Sequence, residues 1–308
     1  MLVSQPPPPL SATAPTSAPV HIMAPRPHPR VTSVLVALRD DSRVAHFDHI
    51  VDLVSAYVDP SPHWDVQRAA RHGFLHLLQH FARSRPSGLL STYELACALE
   101  IAASRGHLYI LQWAHTLPHS DGAFSVKMMN FAAFHGHLHI LQWLHTHRSE
   151  GCSTKALDGA ACCGHLDVVR WLHENRPEGG TTDAMDSAAI NGHLDVVRFL
   201  HFHRTEGCTT RAMDVAAANG DLELLAFLYE QRAEGCTALA IKNAARGTRF
   251  NLHPAQRSVR VLQFLYERYP ALFSRAELET CLRVGPPEVV EWVTQLGLLP
   301  VEINEPTS

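Results

Sequence analysis

Residues 164–173 read GHLDVVRWLH, and residues 192–201 read GHLDVVRFLH, almost the same ten residues 28 positions further on. Such a recurrence indicates either a duplicated site, built around His165 and His193, or a structural unit that is stacked several times. Repeats with a fixed period of about 20 to 50 residues are typical of solenoids and related arrays. The rest of the chain favours the structural unit.

The glycine that opens each stretch recurs along the chain and serves as an anchor for counting units. With spacings of 33, 30, 28, 28 and 28 residues, it stands at Gly73, Gly106, Gly136, Gly164, Gly192 and Gly220. The next unit has Thr248 at this place and is interrupted by residues 249–257, and the last anchor is Gly285. We therefore count about eight units over residues 63–298.

Each unit has the pattern of two short helices on either side of its anchor. Before Gly220, Thr209 or Thr210 can cap a helix, because a hydroxyl accepts hydrogen bonds from the unpaired N–H groups at a helix start. An apolar face at helical spacing follows, made of Ala212, Met213, Ala216 and Ala217. After Gly192 comes a wider one, made of Leu194, Val196, Val197, Phe199 and Leu200. Asp195 and Arg198 are predicted to form an outward pair three residues apart.

Two glycines per unit are predicted to end these helices. The anchor glycine supplies the positive φ of a tight turn between them. The glycine of a recurring Glu–Gly pair, as in Glu206–Gly207, is expected to end the second helix in the left-handed cap position. One helix pair cannot bury its own apolar face, whereas stacked pairs can. The predicted fold is therefore an all-α, helical-repeat solenoid of about eight helix pairs.

The repeated stretches resemble a known family. AACCGHLDVVRWLH (160–173), AAINGHLDVVRFLH (188–201) and AAANGDLELLAFLY (216–229) resemble the core of the ankyrin repeat, A-A-x-x-G-H-x-x-V-V-x-x-L-L. The usual T-P-L-H start is replaced by KALD, DAMD and RAMD, and the period of 28 residues leaves no room for the family's β-hairpin fingers. The chain thus resembles a short-period ankyrin variant that lacks the fingers.

The resemblance implies a non-catalytic adaptor or scaffold that binds a protein partner in the groove of the solenoid. The net charge of −4 supplies no global positive field, so we expect neither nucleic-acid nor membrane binding. The phosphate-binding, dinucleotide-binding and zinc-protease motifs do not occur. We expect no enzymatic activity, no cofactor, and a monomer. Seven cysteines without a C-x-x-C pair favour a reducing compartment, the cytoplasm, with the nucleus as the alternative.

Positions that vary between units are the candidates for partner binding. They lie nine, five and two places before the anchor, where exposed groove residues are expected, and one further pair lies in the interruption. The candidates are Lys127, Phe131, Phe134, Lys155, Cys162, Asp183, Ile190, Arg211, Arg249 and Arg257. Packing between units is the alternative for the row nearest the anchor.

Arg249 and Arg257 belong to a basic stretch that also includes Arg246 and Arg260. Pro254 is expected to keep residues 249–257 irregular and solvated. We predict either a patch that steers an acidic partner to the groove or a tolerated surface insertion.

The histidines, cysteines and acidic residues raise three alternatives: a metal site, a cysteine nucleophile and an acidic binding stripe. Eight of the 22 histidines form two rows, directly after the anchor and nine places after it. Neighbouring units stack about 10 Å apart, too far to share an ion bound at about 2.1 Å, so we predict no metal site. A nucleophile formed by Cys162 or Cys163 with His165 would lack an orienting partner and an oxyanion site. The acidic row at Glu100, Asp158, Asp186 and Asp214 is either a ladder between first helices or a stripe facing a basic partner.

Both ends of the chain are predicted to lie outside the repeats. Residues 1–30 hold nine prolines and no acid, so we expect a disordered tail, acting as a spacer or as a ligand for a proline-binding groove. Residues 31–62 are predicted to form capping helices, and 299–308 a C-terminal tail. FDHIVDLVSAYVDPS (47–61) resembles an F-box-like segment, and the alternative function is therefore a substrate-recognition adaptor of a ubiquitin ligase.

Overall fold

The structure, a computed structural model, describes residues 64–246 and 255–297. These residues form sixteen α-helices in eight consecutive pairs, here called repeats 1 to 8, and contain no strand. In chain order the pairs are α1 Val66–His72 and α2 Leu75–Arg83; α3 Thr92–Arg105 and α4 Leu108–His115; α5 Val126–Phe134 and α6 Leu138–His147; α7 Thr154–Cys162 and α8 Leu166–Asn175; α9 Thr182–Ile190 and α10 Leu194–His203; α11 Thr210–Asn219 and α12 Leu222–Gln231; α13 Ala238–Arg246 and α14 Ala255–Arg268; α15 Arg275–Val284 and α16 Pro287–Gln295. Short 3₁₀ turns lie at Asp121–Ala123 and Pro270–Leu272.

Three first helices, α3, α9 and α11, begin at a hydroxyl that caps them, as the sequence predicts for α11. Thr209 is the N-cap of α11, and its side chain accepts a hydrogen bond from the Arg211 N–H at 3.2 Å. Helix α3 starts with a reciprocal capping box between Ser91 and Glu94, which satisfies two otherwise unpaired N–H groups.

Paired alanines let the first helices pack closely. Ala212, Ala216 and Ala217 are buried, and each first helix lies along the first helix of the next repeat. The second helices contact one another less. Val196, Val197 and Leu200 are buried in α10, while Leu194 and Phe199 are partly buried against the same core. Both predicted apolar faces are confirmed, and one core runs through the stack.

The anchor glycines end the first helices with positive φ, as predicted, in six repeats. The exception is Gly285, whose φ is −76°. Two prolines follow it, and the residue before a proline is confined to extended backbone, so the prediction is wrong for repeat 8.

The Glu–Gly pair was expected to end each second helix, and this prediction is wrong. Helix α10 ends at His203, and Arg204 follows as the C-cap in extended conformation. Gly207 does have a φ of +77°, but it lies inside the loop to the next repeat. The left-handed turn therefore directs the loop rather than ending the helix.

The connections between repeats are short. Only residues 148–153 lie between α6 and α7, and no hairpin finger is present in the described part of the chain. In the same part, no helix is both long and apolar enough to cross a membrane.

Several predictions from the sequence fall on other residues. The tail at 1–30, the capping helices at 31–62 and the tail at 299–308 lie outside the described residues. The interruption at 249–257 is described only from residue 255 onward, and there the irregular loop is not observed, because residues 255–257 form the first turn of α14.

Candidate protein-binding face

Each first helix presents three outward positions to the same side of the stack. In repeat 3 these are Lys127, Phe131 and Phe134, which are spaced four and three residues apart and so share one helix face. The equivalent residues of repeat 4 are Lys155, Gly159 and Cys162. We call the surface formed by these three positions in repeats 2 to 7 the first-helix face.

The outermost row of this face is exposed and of mixed charge. Lys127, Lys155, Asp183 and Arg211 are all exposed. Lys127 forms an ion pair with Glu100 of the preceding repeat at 3.3 Å. The four predicted residues lie in one row along the stack.

The row nearest the anchor serves packing as well as exposure. Cys162 and Ile190 are half-buried, and their carbonyl oxygens accept hydrogen bonds from Asn191 and Asn219 of the following repeats at 2.9 and 2.7 Å. Their side chains therefore border a contact between repeats.

Two phenylalanines are the most apolar part of the predicted set. Phe131 is 40% exposed and Phe134 is 42% exposed, although most large apolar side chains of this array are buried. The Phe134 ring lies over Gly159 of the next repeat, where an added Cβ would stand 3.1 Å from Cδ2. Gly159 therefore adds no side chain beside the Phe134 ring.

Tyr93 extends the same surface into repeat 2 and was missed by the sequence analysis. It is 77% exposed at the start of α3. The pKa of its hydroxyl is raised by a hydrogen bond to the Cys97 side chain and by the Glu100 carboxylate, while Lys127 acts in the opposite direction. Tyr93 therefore lies near Lys127. The greater length of α3 was the feature that could have indicated this residue in advance.

The acidic row is a ladder between first helices. The Asp186 carboxylate accepts hydrogen bonds from the Thr209 N–H at 2.8 Å and from its hydroxyl at 2.6 Å. Asp214 does the same for Thr237, and Asp158 for Thr181. Asp186 and Asp214 are buried, so the predicted alternative, a stripe facing a basic partner, is wrong for these two residues.

The two histidine rows contact neighbouring repeats. His137 pairs through Nε2 with the Ser104 carbonyl at 3.1 Å, and its ring covers Gly106 of the preceding repeat. In the second row, His145 lies edge-on to Trp171, with ring centroids 5.4 Å apart. Across residues 64–246 and 255–297, no three His, Cys, Asp or Glu side chains cluster in a way that could hold a metal ion.

An arginine ladder was also missed. It occupies the loops RSEG, RPEG, RTEG and RAEG, of which only the Glu–Gly pair was interpreted. Arg204 forms an ion pair with Glu206, and the Glu206 carboxylate also accepts from the Gly180 N–H of the preceding loop at 3.2 Å. The Arg204 hydrogen bonds lower the pKa of Glu206 to about 2. The arginine that recurs two residues before each glutamate was the sequence pattern that could have predicted this ladder.

All seven cysteines are free thiols, and several of them are buried in the packing between helices. Burial raises the pKa of Cys152 and Cys208 to about 11 and that of Cys236 to about 12. Burial also raises the pKa of Cys163, which opposes formation of the thiolate that a nucleophile requires.

The predicted basic patch is only partly described. Arg257 is exposed in the first turn of α14, whereas Arg249 lies outside the described residues. The F-box-like segment at 47–61 also lies outside them, so the ubiquitin-ligase alternative stays a prediction.

Comparison with known proteins agrees with this geometry. Residues 129–214 match the family model of ankyrin repeats in three copies, which covers repeats 3 to 5 and reaches α11 of repeat 6. No curated protein matches the chain. Helix pairs with the same anchor and the same first-helix packing continue on both sides of the matched stretch. Residues 129–214 are therefore ankyrin repeats, and the helix pairs on either side of them continue the same stacked arrangement.

Proposed function

We propose that this chain is a non-catalytic adaptor or scaffold that binds a partner protein on its first-helix face. Ankyrin repeats are protein-interaction modules, and the repeats here stack into one array. The first helices are the more closely packed side, and solenoids present their concave binding surface on such a side.

The observation that carries the proposal is the exposure of Phe131 and Phe134. Large exposed apolar side chains in a rigid surface are places where partners bury area. Both residues lie in α5, whose buried face is already occupied by Met128, Met129 and paired alanines. The exposed side chains of Phe131 and Phe134 therefore contribute little to the buried core.

The free cysteines support a location in a reducing compartment, the cytoplasm or the nucleus. A monomer is proposed for the free chain.

Cross-linking of the full chain in cells, followed by mass spectrometry, tests the proposal. We expect one or a few proteins whose cross-links map to Lys127 and Lys155. The variant Phe131→Ser/Phe134→Ser should lose them, and Phe202→Ser should retain them, because Phe202 is 66% exposed on a second helix. Cross-links confined to the second helices, or unaffected by the double substitution, would contradict the proposal.

A further inference from the structure

We propose that the partner presents an acidic segment carrying a bulky apolar side chain, and that this side chain packs against Phe131 and Phe134 of repeat 3. This inference rests on the proposed function and specifies the chemistry of its partner.

The first step is the distribution of apolar area along the face. In the middle row, the residues of repeats 3, 4 and 5 are Phe131, Gly159 and Ser187. Ile101 and Val215, the residues of this row in repeats 2 and 6, are partly buried, so the most exposed apolar side chain of the row is Phe131 in repeat 3. Gly159 adds no side chain beside the Phe134 ring, which itself covers Gly159 and keeps its outer part exposed.

The second step is the charge around the two rings. The exposed cations on or beside this face in repeats 2 to 4 are Arg105, Lys127 and Lys155. Lys127 is compensated by Glu100, while Arg105 and Lys155 form no salt bridge with any residue of the described ranges. Arg105 lies close enough to His135 to reinforce the lowering of its pKa by burial, and the His135 ring contacts Phe134 at 5.1 Å.

The third step is that the two acids of repeats 2 and 4 beside the rings, Glu100 and Asp158, already have partners within the chain. Asp158 accepts two hydrogen bonds from Thr181, and burial raises its pKa. Glu100 is paired with Lys127. Among the described residues of repeats 2 to 4, Arg105 and Lys155 are therefore exposed cations beside the rings without a salt bridge. The exposed acid of the outer row, Asp183, lies one repeat further along, and this distribution favours an acidic partner over a basic one.

Panning of a random 12-residue peptide library against the full chain tests this inference. We expect the enriched peptides to combine Asp or Glu with Leu, Ile, Phe or Trp. A synthetic copy of one such peptide should bind at least about tenfold more weakly to Phe131→Ser/Phe134→Ser, since central apolar contacts dominate such interfaces. Lys155→Glu should also weaken binding, and its effect should shrink as salt is raised.

Two matched variants on the second helices control for general effects. Phe202→Ser removes an exposed phenylalanine, and Arg170→Glu reverses an exposed charge, and both should leave peptide binding unchanged. Circular dichroism and thermal melting establish that all variants fold.

The outcomes separate the two proposals. Enrichment of basic peptides, or of polar peptides without a bulky apolar residue, at the same face would overturn the inferred chemistry and leave the proposed function standing. Acidic peptides whose binding ignores both phenylalanines would overturn the inference as well. If no enriched peptide depends on any residue of the first-helix face, both proposals fail.

Discussion

The ring of His193 lies against Gly164, the anchor glycine of the preceding repeat. A Cβ added at Gly164 would stand 2.6 Å from both Cε1 and Nδ1 of His193. The glycine is thus required twice, by a φ of +75° and by the histidine that covers it. The same contact joins His165 to Gly136 and His137 to Gly106.

Gly192 separates these two requirements. It has the same φ of +75°, but no atom lies within 4 Å of an added Cβ, and repeat 6 has Asp221 where repeats 2 to 5 have histidine. Gly192→Ala should cost about 1–2 kcal/mol from backbone strain. Gly164→Ala should cost about 1–3 kcal/mol more, because the ring must move. Urea unfolding of both variants measures the difference.

A double variant checks the cause. His193→Asp reproduces the natural arrangement of repeat 6, so it should remove most of the excess cost of Gly164→Ala. If the two alanine variants are equally stable, the histidine contact is not what constrains the anchor.

The Asp186 carboxylate should stabilise the junction of repeats 5 and 6. Asp186→Ala removes a buried carboxylate together with both of its hydrogen bonds to Thr209, and should cost about 1–3 kcal/mol. Asp186→Asn should cost less, because Asn130 already fills this position in repeat 3 and accepts from the Ser153 N–H at 3.0 Å. Hydrogen exchange should show protection lost in α9 and α11 together; a loss confined to α9 would contradict the ladder.

The free energy of unfolding should fall as pH is lowered below neutrality. Burial lowers the pKa of His107, His135 and His137 below 6.5, so the folded state favours the neutral rings. Their contribution is present above the unfolded pKa of about 6.5 and is lost as pH falls through the lower folded pKa. Urea unfolding at pH 7.5, 6.5 and 5.5 measures the loss, which should shrink in His107→Gln/His137→Gln. An unchanged pH profile in this variant would exclude these rings as the cause.

The stability of the fold should depend on the planar guanidinium shape of the Arg204 side chain. It contacts both Glu206 oxygens through Nε at 3.2 Å and approaches His173 Nδ1 at 3.5 Å, which a lysine cannot reproduce. We expect Arg204→Lys to cost about 1 kcal/mol. Arg198→Lys is the control, because its pair with Glu223 is exposed and should contribute within about 0.5 kcal/mol. Thermal unfolding compares the two, and equal melting temperatures would contradict the special geometry of Arg204.

Arg198 also illustrates where prediction from the sequence stopped. The sequence predicts a pair with Asp195 on the same helix, but the guanidinium binds Glu223 of the next repeat at 3.0 Å. The sequence pattern of a helix suggests an acid on the same helix as a partner. Which acid of the next repeat comes close to Arg198 depends on the register in which the repeats stack.

The sequence by itself determined the repeat, its period, the helix pairs, the capping threonines and the buried alanine pairs. These features follow from local periodicity and local hydrogen bonding, which the sequence of a single repeat encodes. The predicted face residues Phe131 and Phe134 belong to this group, since their spacing defines a shared helix side.

Only the tertiary structure decided which residues meet across repeats. Asp186 reaches Thr209, His193 covers Gly164, and Phe134 lies over Gly159, in each case across 23 to 29 positions of sequence. Such contacts depend on the distance and rotation between stacked helices. Those quantities arise when alanine faces pack together, and no pattern within one unit specifies them.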